Sequence, residues 1–335
     1  MEGIPVTRAT AALLVILAAS AAADESATVA RRDADWLVRL QRSREALEWS
    51  DAVVRHDWRL QERPKDGHWR ILDPAETTLH EGTADECRAA FATLEAAGTI
   101  PPVRGPAVMV LHGLGEGRSS MRPLADHLRR TLDATVLLVG YASTNADIEA
   151  HGRALGRVIA ALPPAGRISF VGHSLGNLVV RRWMGLAGPD DLARVDRMVM
   201  LGPPNQGSDL ARRVSGVRFL AGLAEGAARD LVVDWHKVAP TLAVPPCEFG
   251  IVAGGRGDDH GFSPLLGGDD DAVVRVDETW LDGADDFLLV PVHHAAMLRD
   301  ARVQRATETF LKQGRFPAEG WSTSDGQGDA PGKGE

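Results

Sequence analysis

Between residues 107 and 292 the chain returns six times to a short, uninterrupted apolar run. These are AVMVLHG (107–113), TVLLVGY (135–141), ISFVG (168–172), RMVMLG (197–202), EFGIVAG (248–254) and FLLVPV (287–292). Runs of this length without polar alternation suit strands whose two faces are both covered. MRPLADHLRRTL and DIEAHGRALGRVIAAL separate the first three and carry helical spacing. Apolar strands alternating with amphipathic helices predict an α/β domain: a mostly parallel central sheet with helices on both faces. No internal repeat is visible, and 335 residues suffice for one such domain and an appendage.

The region before the sheet reads differently. Arg8 precedes the apolar stretch AALLVILAASAAA (11–23), which is short for a bilayer span and ends in the small-residue pattern Ala21-Ala22-Ala23. Residues 1–23 are therefore expected to be a signal peptide, with a secreted or periplasmic product; an uncleaved membrane anchor is the alternative. Trp36, Leu37, Leu40, Leu47 and Trp49 fall at helical intervals, predicting a helix over 26–56. Trp58 and Leu60, then Trp69 and Ile71, alternate around an Asp66-Gly67 turn, the signature of a hairpin. A second helix is expected over 83–98, with Thr83 as N-cap and Gly98 as stop. The expected organisation is a leader (1–23), a small N-terminal helix–hairpin–helix appendage (24–100), the α/β domain (101–315) and a Gly-rich disordered tail (316–335).

A net charge of −9 argues against a nucleic-acid partner, which needs clustered positive charge. Cys87 and Cys247 are the two cysteines; an exported chain could pair them, and two buried thiols fit equally well.

One run ends on a polar residue. Gly172-His173-Ser174-Leu175-Gly176 follows the apolar ISFV and precedes the amphipathic LVVRRWM. A serine on so sharp a strand-to-helix turn needs neighbours without side chains, because the backbone there packs closely against adjacent elements. The helix N-terminus beneath it favours developing negative charge. A serine nucleophile also needs a histidine to take its proton, and in this order of elements acid and histidine follow the serine. His236, His260, His293 and His294 are the histidines that do so.

From about residue 105 to 313 the sequence resembles α/β-hydrolases of the bacterial lipase/esterase type. The resemblance is carried by GHSLG (172–176), by LHGLGEG (111–117), by VHHAAML (292–298) and by the LGPPNQGSDLA loop (201–211). It implies Ser174 as nucleophile, the N–H groups of Leu114 and Leu175 as the oxyanion hole, and His294 rather than His293 as the base. His112 and His173 resemble structural histidines of the family. The acid position resembles D-G-x-V and falls on Asp271-Ala272-Val273-Val274, with Ala272 where the family has glycine; Asp270 is the second choice. The resemblance implies cleavage of carboxylic esters of small molecules or lipids, with transient contact to a lipid surface and no metal or organic cofactor. The same residues would also serve an acyltransferase, a thioesterase or an amidase, and a non-catalytic protein of the same fold is the remote alternative.

Spacing argues against two other sites. Gly113, Gly115 and Gly117 are followed by Arg118 where a dinucleotide loop needs its third glycine. The acidic stretch 256–271 lacks the ligand spacing and glycine of an EF-hand. Asn205, Gln206 and Ser208 offer hydrogen bonds near the expected pocket or simply form a turn, and the apolar stretch 216–235 falls where such enzymes insert helices over the active site.

Overall fold

The six apolar runs form one parallel sheet in the computed structural model, which describes residues 47–208, 226–232 and 234–317. The leader at 1–23, the helix expected over 26–46, residues 209–225 and the tail beyond 317 lie outside the described residues. The strands are β5 (Ala107–Leu111), β6 (Thr135–Val139), β7 (Ile168–His173), β8 (Val195–Leu201), β9 (Glu248–Gly254) and β10 (Asp286–Val290), in the order β10-β9-β8-β7-β5-β6. Every neighbouring pair is parallel.

Side chains leave each strand with a period of two, so one run serves two cores. Met109, Leu111, Phe170, Met198, Met200 and Ile251 enter the layer of helices α3 (Ile148–Ala160) and α4 (Leu175–Leu186). Val108, Val110, Val171, Val199 and Val252 enter the opposite layer, of α2 (Arg122–Thr131) and α6 (Ala301–Gln313). Phe170 and Trp183, 5.3 Å apart at their ring centroids, anchor the first core. Emptying either site would cost about 3–5 kcal/mol.

The strand order places the site. The chain passes from β5 outward to β6, then crosses back to β7 on the other flank of β5. The connections leaving the carboxyl ends of β5 and β7 therefore diverge, and such a switch point opens a crevice in an open α/β sheet. Gly113 and Leu114 follow β5, and Ser174 follows β7.

The appendage departs from the helix–hairpin–helix expectation. Residues 50–55 are a strand rather than the end of a helix, and β1 (Ser50–Arg55), β2 (Trp58–Arg63), β3 (His68–Leu72) and β4 (Thr78–Gly82) form a four-stranded antiparallel sheet. The hairpin is where its Asp-Gly turn puts it, with Gly67 at φ 68° and Arg63 opposite His68. Helix α1 (Ala84–Ala96) begins after Thr83 in a full capping box with Glu86, and Cys87 and Phe91 seal the small core against Leu60, Trp69 and Ile71. The helical spacing that ends at Trp49 is overridden by a sheet neighbour: Asp51 donates its N–H to Gly140 O at 2.9 Å, beyond the end of β6. Among the described residues no helix is long and apolar enough to cross a membrane.

Cys87 and Cys247 are free thiols, one in each part of the chain. Burial pushes the Cys247 thiol up to about 12.

Candidate active site

Ser174 stands between β7 and α4 at φ 51° and ψ −120°, outside the comfortable regions for an L-residue. Strain of this kind costs of order 1–3 kcal/mol and persists only where the surroundings enforce it. The two flanking glycines explain how. A Cβ on Gly176 would lie 2.7 Å from Leu111 O and 2.8 Å from His112 O, and one on Gly172 would lie 2.7 Å from the Asn177 nitrogen. The turn is thus pressed against the end of β5 on one side and against its own helix on the other. The Ser174 N–H is held by Leu201 O at 2.9 Å, and the Asn177 amide donates to Ser174 O at 3.0 Å.

His294 opens a short helical turn after β10 (His294–Arg299) and is buried. Its Nδ1 lies 2.6 Å from Asp271 Oδ2, so Nδ1–H donates to the carboxylate and Nε2 is left to act on a proton. Asp271 is fully buried and clamped: its Oδ1 accepts the N–H groups of Val273 (3.0 Å) and Val274 (2.7 Å), and its carbonyl takes the His294 N–H at 2.8 Å. Burial pulls the His294 ring downward, but the charge and hydrogen bond of Asp271, with Glu116 adding to them, raise it above the ordinary histidine range. The ring lies against Gly202, where a Cβ would come within 3.0 Å of both Cε1 and Nδ1. Gly202 follows Leu201, the residue that holds the Ser174 N–H.

The alternatives fall elsewhere. His293 is exposed and stacks on Phe262 at 3.9 Å; His236 and His260 are exposed. Asp270 is buried but points away from His294, accepting the N–H groups of Ser263 (2.9 Å) and Ala272 (2.7 Å). Burial raises its carboxyl.

Leu175 is the first residue of α4, so its N–H has no acceptor within the helix. Leu114 follows β5 and packs its side chain on the first core. The loop between is braced from below. His112 Nδ1 faces Gly113 O at 2.9 Å and its Nε2 receives the Tyr141 N–H at 3.3 Å, while the Tyr141 hydroxyl donates to His112 O. Gly115 donates to Ser143 Oγ at 3.1 Å. Burial lowers the His112 ring.

Glu116, in the same loop, was not singled out by the sequence pattern. Its carboxylate accepts the Gly113 N–H (3.1 Å) and the Ser120 hydroxyl (2.9 Å) and faces His173 Nδ1 at 3.3 Å. Its one signal was a lone acid between two glycines.

Asn205 and Gln206 act as loop residues. Asn205 accepts from Arg181 (2.8 Å) and donates to Thr279 O (2.8 Å), and Gln206 donates to Trp280 O (2.9 Å). Ser208 is buried at the end of that loop. Of the apolar stretch 216–235, helix α5 (Gly226–Val232) is described; it abuts the start of α3, where Asp230 accepts the Ile148 N–H at 2.8 Å. Among the described residues no group of three or more His, Cys, Asp or Glu side chains is arranged to hold a metal ion.

Comparison with known families matches residues 107–200 to the family described as "Putative serine esterase (DUF676)". No curated protein matches. Among solved structures, the mature lipase BlEst2 of Bacillus licheniformis is similar at 16% identity and a TM-score of 0.48, over 64% of this chain and 95% of that one. The lin2722 gene product of Listeria innocua is similar at 17% identity and a TM-score of 0.46, over 65% and 97%. The metagenomic carboxyl esterase MGS0156 gives 17% and 0.46, over 59% and 68%. The family match spans β5 to the last turn of β8 and so contains both the Gly113 loop and the Ser174 turn. Over residues 107–200, which hold the strand-to-helix turn of Ser174 in the parallel sheet, the chain is similar to a family described as putative serine esterases.

Proposed function

We propose that the protein hydrolyses carboxylic esters through an acyl-enzyme on Ser174. What carries this is the 2.6 Å hydrogen bond between His294 and the buried Asp271, with the ring of His173, the residue before the strained Ser174, 4.6 Å from the His294 ring. Ser174 Oγ attacks the acyl carbon while His294 Nε2 takes its proton and then delivers it to the departing alcohol. Asp271 holds the ring in the required tautomer and stabilises its cation. The N–H groups of Leu114 and Leu175 take the charge of the tetrahedral oxygen, where preorganised donors contribute most to rate. Water then repeats the sequence on the acyl-enzyme.

The substrate class is an ester of a small molecule or a lipid, and the leader-like segment at 1–23 supports export to the periplasm or beyond. The test is hydrolysis of p-nitrophenyl esters from acetate to palmitate by the full chain, beside Ser174→Ala. Turnover abolished by the substitution supports the assignment, and the preferred chain length separates esterase from lipase. Folded protein that turns over no ester, yet is labelled at Ser174 by a fluorophosphonate, would move the assignment to amide hydrolysis or acyl transfer.

A further inference from the structure

His173 is fully buried between two acceptors. Its Nε2 lies 3.2 Å from the carbonyl oxygen of His294 and its Nδ1 lies 3.3 Å from Glu116 Oε2. A carbonyl only accepts, so Nε2 must carry a proton. With Nε2 protonated, the Nδ1 contact is a hydrogen bond if either the ring or Glu116 carries a further proton. Glu116 Oε2 already accepts the Gly113 N–H and the Ser120 hydroxyl, as a carboxylate does, which puts that proton on the ring. The carboxylate is in turn built to be ionised. Burial pulls Glu116 upward, but His173, the Gly113 N–H and His112 together hold it well below the usual carboxylate range.

We propose that Glu116 and His173 form a buried charge pair that ties the oxyanion loop, the nucleophile turn and the base loop into one unit, and that both are positioning residues for the chemistry assigned to Ser174. The proposal rests on the ester-hydrolase assignment. Glu116 reaches the oxyanion loop through Gly113, next to Leu114; His173 precedes Ser174; and the far side of His173 holds the backbone of His294. Gly113 lies tight against the nucleophile turn: a Cβ there would lie 3.1 Å from Ser174 Cβ and 3.4 Å from His173 Nδ1. The titratable groups facing the pair are His294, with its ring 4.6 Å from that of His173 and Asp271 behind it, and His112 on the other side of Glu116. A buried pair of this kind is a weak source of stability, whereas a shift of about 1 Å among reacting groups can cost a hundredfold in rate.

Two measurements test it on the full chain. The first is the ¹⁵N spectrum of the histidine rings near neutral pH, with His173 assigned by its loss in His173→Asn. Two protonated ring nitrogens are expected in the wild type and one in Glu116→Gln, whose amide keeps the shape without the charge. The second is ester kinetics: Glu116→Gln should lower kcat about tenfold to a hundredfold at nearly constant KM, and Glu116→Gln/His173→Asn should be no worse than the weaker single variant. A singly protonated His173 in the wild type, additive losses, or unchanged kcat in Glu116→Gln would each overturn the pair. The ring spectrum needs no substrate, so a wild-type protein with the two-proton signature and no ester turnover would instead overturn the ester-hydrolase assignment.

Discussion

Asp51 and Gly140 are joined twice. The Asp51 N–H donates to Gly140 O at 2.9 Å, and the Gly140 N–H donates back to Asp51 Oδ2 at 2.7 Å. Through this pair the appended sheet closes on the edge of the parallel sheet. Arg59, which is 1% exposed, lies 3.2 Å from the same carboxylate and donates to Leu138 O, and Gln61 donates to Asp51 Oδ1 at 2.8 Å. Burial pushes the Arg59 guanidinium down to about 10, against the pull of Asp51. Three residues past Gly140, Ser143 receives the Gly115 N–H of the oxyanion loop, so the appendage reaches the site through one short segment.

Removing Asp51 would leave the buried Arg59 with only the longer contact to Asp57 at 3.8 Å, and the Gly140 N–H without this acceptor. Asp51→Ala is expected to destabilise the fold by about 3–5 kcal/mol, the range for breaking a buried pair from one side. Urea unfolding checks this, and a loss under about 1 kcal/mol would show the seam to be solvated.

The glycines around Ser174 separate steric need from mere flexibility. Gly176→Ala sets a Cβ 2.7 Å from Leu111 O, where only strand backbone could yield. It should abolish ester turnover and lower Tm. Gly188 has nothing within 4 Å of the same atom and no positive φ, so Gly188→Ala should stay within about 1 kcal/mol of wild type. Equal behaviour of the two variants in a thermal melt would contradict the packing described around the serine.

The raised His294 fixes the sign of two pH effects. As a base it must be neutral, so kcat/KM should rise with pH through a midpoint above the ordinary histidine range. The stability it contributes runs the other way: it is fully present below the unfolded-state value and is lost as pH rises through the folded one. Asp271→Asn removes the main raising influence, so the acid limb should move downward while kcat falls about 10⁴-fold. Asp270→Asn keeps an acceptor for Ser263 and Ala272 and should cost under about tenfold. A pH–rate profile of the three proteins decides between the two acids; an unmoved limb in Asp271→Asn would remove Asp271 from the site.

The parallel sheet was legible because its strands are buried on both faces and so appear as continuous apolar runs. All six lie within two or three residues of where the runs place them. Ser174 was singled out because a tight strand-to-helix turn constrains residue type locally, whereas His294 and Asp271 were reached through the family resemblance. The appendage was less legible. β4 exposes nearly every side chain, including Leu79, and carries no apolar alternation, while β1 is fixed by its antiparallel pairing with β2 and by Gly140, 89 residues away. Glu116 was not singled out, and His173 was read only as a structural histidine, because the contact between them spans 57 residues of sequence.

Ala272 joins sequence and geometry most directly. It occupies the glycine position of the D-G-x-V pattern, and its φ is 82°. The turn is imposed by Asp271, whose Oδ1 must take both Val273 and Val274 N–H groups while Oδ2 faces His294. Left-handed backbone costs a Cβ-bearing residue about 1–2 kcal/mol, and glycine escapes that cost. Against this, a glycine loosens the unfolded chain by about 0.4–1 kcal/mol. Ala272→Gly should therefore stabilise the fold by up to about 1 kcal/mol and leave kcat close to wild type, since neither acceptor of Asp271 changes. Urea midpoints and ester kinetics on the pair of proteins check both halves. A lower midpoint for the glycine variant would mean that the turn relaxes around Ala272, and that the positive φ is not what the acid loop requires.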